Sequence, residues 1–141
     1  MPISDFNGTW NTVSKENMDE FLKSQGAPWA GRKIVCAEKP TVTIAIDDSS
    51  FKFDMTGRIG FKLDLVPGAE PVEFTSANGK VWYDSYEIVG ETIVLTRLDK
   101  KTPGKLVQVR SIEDGKLVAK STWTNESDGS TCSMTLTFAK A

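Results

Sequence analysis

The sequence has 141 residues, of which 39% are hydrophobic, enough for one globular core and too few residues for two of ordinary size. We therefore expect a single domain over residues 1–141. The formal net charge is −2 and no long basic stretch occurs, so nucleic acid is not an expected partner. The sequence contains no histidine, which removes the commonest general base and zinc ligand, and we expect neither a metal site nor a cofactor.

The N-terminal residues Met1 to Phe6 lack the basic start and the apolar stretch of a signal peptide, and no later segment is apolar enough to span a bilayer. This pattern predicts a cytoplasmic protein. The two cysteines, Cys36 and Cys132, lie far apart and have no Cys-x-x-Cys spacing. They predict buried free thiols in a reducing compartment.

A helical segment follows a first strand that ends near Gly8-Thr9-Trp10. Apolar residues between about 15 and 37 recur with helical spacing. Ser14 and Asn17 carry side chains suited to N-capping the first helix. A helix-turn-helix is therefore predicted over residues 15–37.

The second of these helices is predicted from Trp29 to Ala37, after a break at Gly26-Ala27-Pro28. We expect Ile34 and Val35 to face the core. Pro40 prevents the helix from continuing, because proline lacks the backbone N–H that a helix interior needs.

From about Pro40 onward, runs rich in Val, Ile, Thr, Phe and Tyr alternate with short turn signals, which is typical of antiparallel all-β folds. Strand-rich chains of this kind form barrels or sandwiches, because an open sheet exposes long edges. Alternation places one side of three strands in the core: Val42, Ile44 and Ile46; Phe51, Phe53 and Met55; and Cys132, Met134, Leu136 and Phe138. The predicted turns include Pro67-Gly68, Val89-Gly90, Asp114-Gly115 and Asp128-Gly129, together with Thr56-Gly57, Asn78-Gly79 and Thr102-Pro103.

Four segments of the chain form a recognisable set: Phe6-Asn7-Gly8-Thr9-Trp10, Glu16–Lys23, Arg32-Lys33 with Lys39-Pro40-Thr41, and Val109–Val118. Together they resemble the intracellular lipid-binding protein family, which includes fatty-acid-binding and retinoid-binding proteins. The resemblance covers essentially the whole chain. It implies an all-β fold, a ten-stranded antiparallel up-and-down β-barrel (a β-clam) with the helix pair as a lid, and carriage of lipid without covalent chemistry.

The last strand departs from the family pattern. Many members carry an Arg-x-Tyr pair there that binds the ligand carboxylate, whereas the aligned residues are Leu136 and Phe138. The full carboxylate clamp therefore does not carry over. We expect these two side chains to contribute apolar wall instead.

An inward-facing arginine is the other feature that can compensate a carboxylate buried in a barrel. The resemblance implies that Gln108 and Arg110 point inward, whereas periodicity alone favours the more apolar side that carries Val107 and Val109. Arg110 is the first candidate anchor. Arg97 is the second, and an ordinary surface position is the alternative for both.

The strand before the Val89-Gly90 turn supplies further wall residues. Aligning this turn with its family counterpart places Trp82, Asp84 and Tyr86 on the cavity side. A slip of one residue would send all three outward. An interior Asp84 would neutralise an arginine of the empty protein or recognise a hydroxyl-bearing headgroup.

Flexible side chains on and near the lid are expected at the cavity opening, where methionine suits a variable acyl chain. Plain core packing is the alternative. The positive charge on both helices implies, by the resemblance, transient contact with anionic membranes. The expected lining residues are Met18, Leu22, Ile34, Val35 and Met55.

The sequence thus predicts a monomeric carrier of a long-chain fatty acid, with Arg110 orienting the headgroup. The alternative is a bulkier or less acidic lipid, such as a retinoid, sterol or bile acid, favoured by the loss of the Arg-x-Tyr pair. An enzyme would need paired acids, and Asp84 with Glu73 or Glu87 is a pairing without motif support. We therefore expect no catalytic residues.

Overall fold

The computed structural model describes residues 3–25, 28–47, 49–56, 61–75, 81–99 and 104–141. A short 3-10 helix at Ile3–Phe6 precedes the first strand, and two α-helices follow that strand. The elements are β1 (Gly8–Glu16), α1 (Met18–Ser24), α2 (Trp29–Ala37), β2 (Thr41–Ile46), β3 (Phe51–Thr56), β4 (Phe61–Leu65), β5 (Val72–Thr75), β6 (Val81–Val89), β7 (Thr92–Asp99), β8 (Gly104–Glu113), β9 (Lys116–Asn125) and β10 (Thr131–Lys140).

The ten strands form one antiparallel sheet in the order β4-β3-β2-β1-β10-β9-β8-β7-β6-β5. The pairing of β1 with β10 joins the two ends of the chain. The sheet curls into a nearly closed barrel, with β4 and β5 at its two edges. The predicted ten-stranded antiparallel barrel is confirmed.

The barrel core follows from alternation along the strands. On β2, Val42, Ile44 and Ile46 are buried while the residues between them are exposed. On β3, Phe51 and Phe53 are buried on the same side of the sheet. The predicted inner faces of these two strands are confirmed, because a pleated strand directs every second side chain to one face.

The first helix begins later than predicted. β1 continues to Glu16, and Lys15 pairs with Leu136 of β10. Asn17 adopts the left-handed conformation with φ of 62° and its side chain makes no capping hydrogen bond. The expected start near Lys15 is wrong because pairing with β10 extends the strand over residues that also fit helical spacing.

The second helix spans Trp29–Ala37, as predicted. Val35 is half-buried, but Ile34 is 42% exposed, so the expected inward orientation of Ile34 is wrong. Successive helical residues point about 100° apart, so the two do not share one narrow face. The Lys15 ammonium donates to the backbone carbonyl oxygens of Cys36 and Glu38, which ties the end of α2 to β1.

The hairpin between β8 and β9 shows how local chemistry sets the strand register. Asp114 and Gly115 both have positive φ, 53° and 75°, and Glu113 pairs with Lys116 across the turn. Two positive φ values in a two-residue loop match the twist of the flanking strands. The predicted turns at Gly57, Asn78-Gly79 and Thr102-Pro103, and the helix break at Gly26-Ala27, lie outside the described residues.

Candidate functional site

The barrel holds an interior cavity of about 230 Å³ that is bounded by the two helices and by the inner faces of most strands. Its wall is mainly apolar. Among the described residues, the charged side chains that line it are Arg97 and Arg110, and the neutral polar ones are Gln25, Gln108 and Ser121. A mainly apolar cavity with a few convergent polar groups is the usual form of a site for a small apolar ligand.

Arg110 is the most deeply buried cation of the site, with 3% of its surface exposed. Its guanidinium carbon lies 4.5 Å from the ring centroid of Phe53 and 5.6 Å from that of Phe51, within cation–π range. Its Nη1 is buried and has no hydrogen-bond partner among the described residues. A desolvated cation with an unused donor is the complement of an anionic group.

Burial, with a smaller contribution from the nearby charge of Arg97, lowers the pKa of Arg110 to about 9. The strand pairing explains the burial. Arg110 lies between Ile93 on β7 and Ala119 on β9, both of which face the core. Its inward orientation is the one that the family resemblance implied, against the more apolar face that carries Val109.

Arg97 forms a buried ion pair with Asp84. The two residues are direct partners in the β6–β7 ladder, and Nε of Arg97 lies 3.0 Å from Oδ1 of Asp84. Only 1% of the Asp84 side chain and 13% of the Arg97 side chain are exposed. The guanidinium of Arg97 also lies 4.8 Å from the ring centroid of Phe74. Of the two alternatives for Arg97, the structure has the interior one.

Burial disfavours the charged form of both partners. Desolvation raises the pKa of Asp84, while the charge of Arg97 and its interaction with the carboxylate oppose that rise. Desolvation likewise lowers the pKa of Arg97, and Asp84 opposes that shift. Each partner therefore offsets part of the desolvation cost of the other.

Gln108 and Ser121 place neutral polar groups on the cavity wall close to Arg110. They are direct partners in the β8–β9 ladder, and Gln108 Nε2 donates to Ser121 Oγ at 2.9 Å. Because Gln108 lies two residues before Arg110 on β8, both side chains point to the same side of the sheet. A headgroup held by Arg110 would meet this pair as an additional hydrogen-bonding surface.

Two predicted wall residues of β6 have different surroundings. Trp82 lines the cavity and packs edge-on against Trp123 at 5.9 Å between ring centroids, next to Phe21 of α1. Tyr86 is buried on the inner side of the sheet, as predicted, but it is not among the residues that line the cavity. It packs in the core against Phe51, with ring centroids 4.8 Å apart, and burial raises its pKa to about 12.

The lid and the last strand supply apolar wall. Met18 and Leu22 of α1, Val35 of α2 and Met55 of β3 line the cavity, whereas Ile34 does not. On β10, both Leu136 and Phe138 are buried and line the cavity. The described part of the last strand therefore presents no cation to a ligand.

Some lining residues were not predicted as site residues. Most of them lie on strands that alternate regularly, and Phe21 and Gln25 follow the helical spacing of α1. The signal was therefore present, but it did not distinguish cavity wall from solid core. These residues are Phe21, Gln25, Val42, Phe53, Leu95, Leu106, Leu117, Ala119, Ser121 and Met134.

Neither metal chemistry nor a membrane-spanning helix is evident in the described ranges. They contain no group of three or more Cys, Asp or Glu side chains suited to a metal ion. None of their helices combines the length and apolar character needed to cross a bilayer. Cys36 and Cys132 are free thiols, both half-buried rather than fully buried as expected.

The sequence matches no family model. It is 38% identical to human fatty acid-binding protein 9 over 87 residues, a match that covers 56% of this chain and 61% of that protein. It is 32% identical over 129 residues to fatty acid-binding protein 9 of Mus musculus, covering 87% of this chain and 92% of that one. The fold is similar to that of apo lipid binding protein 8 of Caenorhabditis elegans, with a TM-score of 0.85, 20% identity and coverage of 100% and 99%. The extended match to the mouse protein, together with the barrel and its lined cavity, shows that the chain belongs to the fatty acid-binding protein family.

Proposed function

We propose that this protein binds a long-chain fatty acid reversibly inside the barrel and carries it through the cytoplasm. The observation that supports this most directly is Arg110. Its buried Nη1 lacks a partner among the described residues, and it borders an apolar cavity. A fatty acid supplies both complements, a carboxylate for the guanidinium and an acyl chain for the wall.

Apolar burial provides most of the affinity in this proposal, at about 0.8 kcal/mol for each methylene before the entropic costs of binding. The headgroup interaction mainly sets orientation. It also relieves the unfavourable burial of an uncompensated cation. No bond is made or broken, so the proposed role is that of a carrier rather than an enzyme.

A long acyl chain needs more room than this cavity offers. We expect that room at the end of the barrel next to the helices. About 230 Å³ is below the roughly 300–1,000 Å³ usual for sites of drug-sized ligands. The aromatic pair Trp82 and Trp123 fills the barrel next to α1. Displacement of this pair, or of the helices above it, would lengthen the site.

A bulkier or less acidic lipid remains the second candidate, because Leu136 and Phe138 replace the polar pair of the last strand and Gln108 with Ser121 offers neutral hydrogen bonding. An uncharged sterol or retinol would leave Arg110 without a counter-charge. A lipid acid such as a bile acid would not. The buried cation therefore favours ligands with a carboxylate.

Delivery to a membrane is part of the proposal, through the outer face of α2. Trp29 is 64% exposed and Ile34 42% exposed, and the Lys33 ammonium lies 5.1 Å from the Trp29 ring centroid. An aromatic residue beside a cation suits the interface of an anionic bilayer. Slower transfer of bound fatty acid from Trp29→Ala to anionic vesicles, with equal affinity, would support this; an unchanged transfer rate would contradict it.

The central test is displacement of a fluorescent fatty-acid analogue by oleate from delipidated protein. Arg110→Met should weaken oleate binding by about tenfold or more, as expected for loss of a charge-assisted hydrogen bond. Lys120→Met, which removes an exposed cation from the outer side of β9, is the matched control and should change affinity less than about twofold. An unchanged affinity of Arg110→Met would place the headgroup elsewhere, and an absence of saturable binding by the wild type would refute the proposal.

A further inference from the structure

We propose that Asp84 is a specificity-determining residue that limits the cavity to ligands with one anionic group. The inference rests on the proposed fatty-acid binding and goes beyond it. It concerns which lipid acids the protein rejects: those with a second carboxylate at the far end of the chain.

The charges inside the barrel are unequally compensated. Two arginines line the cavity in the described structure, and one of them, Arg97, is in an ion pair with the buried Asp84. Arg110 has no such partner among the described carboxylates, and its Nη1 has no hydrogen-bond partner. The pair is close to neutral as a whole, which leaves a single uncompensated cation for a ligand.

The two arginines lie at different levels of the barrel. Arg97 on β7 is the direct partner of Leu106 on β8, and Arg110 lies four residues further along that strand. A strand rises about 3.3 Å per residue, so the two backbone positions are about 13 Å apart along the barrel wall. Their aromatic contacts differ accordingly: Arg97 lies over Phe74 and Arg110 over Phe53.

The two guanidinium groups nonetheless line the same cavity. Without Asp84, an α,ω-dicarboxylate would find a buried cation for each of its two carboxylates. With Asp84 in place, the second carboxylate meets a like charge next to Arg97 in a desolvated setting, which disfavours the ionised form of either acid. Asp84 therefore opposes a second anionic group while leaving Arg110 available for the first.

The test compares dodecanoate with dodecanedioate, two acids of equal chain length, by calorimetric titration of delipidated protein. The wild type should bind dodecanoate more tightly. Asp84→Asn keeps the shape of the side chain but removes its charge, and should improve binding of dodecanedioate relative to dodecanoate by about tenfold, the effect of one charge-assisted contact. An unchanged ratio in a folded Asp84→Asn protein would overturn the inference.

Arg97→Gln provides a second variant, since Asp84→Asn leaves a buried arginine without its carboxylate and reduces stability. In Arg97→Gln the second cation is absent, so the affinity for dodecanedioate relative to dodecanoate should not rise above that of the wild type. A tenfold loss of dodecanoate affinity would show that Arg97 itself holds the headgroup and would overturn the inference. Failure of the wild type to bind dodecanoate would refute the proposed function, whereas normal binding with an unchanged preference in both variants refutes only the role of Asp84.

Discussion

The Asn17 side-chain amide donates to the backbone carbonyl of Ser133 at 2.9 Å, which fastens the start of α1 to β10. The same Nδ2 approaches the Cys132 sulfur at 3.8 Å. Asn17 also stands in the left-handed region, with φ of 62°, where asparagine is tolerated better than most residues. One residue thus turns the chain from β1 into α1 and ties the lid to the barrel.

Replacing Asn17 separates these two roles. Asn17→Gly removes the tether but keeps a residue suited to positive φ, and should lower the free energy of unfolding by about 1 kcal/mol. Asn17→Ala loses the tether and also puts alanine, which tolerates the left-handed region less well than asparagine or glycine, at this position, which adds about 1 kcal/mol. Urea unfolding measures both, and an alanine variant as stable as the glycine variant would contradict the account.

Gly104 is required by close packing against Trp123. A Cβ built at Gly104 would lie 1.9 Å from a ring carbon of Trp123, whereas a Cβ at Gly31 in α2 would lie 3.7 Å from its nearest neighbour, Pro28. Gly104→Ala should therefore destabilise the protein by about 1–3 kcal/mol. Gly31→Ala, the control, should be neutral or stabilising by up to about 1 kcal/mol, because alanine favours a helix. Equal urea midpoints for the two variants would argue against this contact.

Arg110 should destabilise the ligand-free protein, although it contributes to ligand binding in the proposed function. Burying an uncompensated charge costs several kcal/mol, so replacing it with an apolar residue of similar length should stabilise the fold. Arg110→Met is therefore expected to raise the melting temperature of the ligand-free protein while weakening oleate binding. A lower melting temperature without ligand would indicate that Arg110 is needed for packing.

The affinity for fatty acid should fall at alkaline pH. The pKa of Arg110 in the empty protein is lowered to about 9, and a bound carboxylate would raise it again. Below pH 9 the guanidinium is charged with or without ligand, so affinity is constant; above it, binding must take up a proton and weakens as pH rises. Oleate titrations between about pH 7 and pH 10 measure this, with Arg110→Met as the pH-independent control. A wild-type affinity that stays constant through this range would contradict the assigned shift.

The strand faces could be predicted from sequence because alternation is a local property. Val42 and Ile44 show it clearly, and their burial follows. The orientation of Arg110 could not be derived in this way, since Val107 and Val109 are the more apolar set; a cavity wall can carry polar groups where a solid core cannot. The family resemblance supplied that orientation.

The sequence pattern could not predict features that depend on pairing between distant segments. The ion pair of Asp84 with Arg97 needs the β6–β7 register, which a one-residue slip would destroy. The position of Tyr86 outside the cavity depends on its contact with Phe51 from another part of the sheet. In both cases a residue's face was predictable, but its neighbour was not.

The edge positions of β4 and β5 have a mechanical consequence for the barrel. Every other consecutive pair of strands is joined by a hydrogen-bonded ladder, and these two strands end the sheet instead. Moving them apart would therefore break no ladder bond between described strands, while widening any other seam would break several. The circumference of the barrel is adjustable at this one seam, so the interior can expand around a ligand larger than the empty cavity without unravelling the sheet.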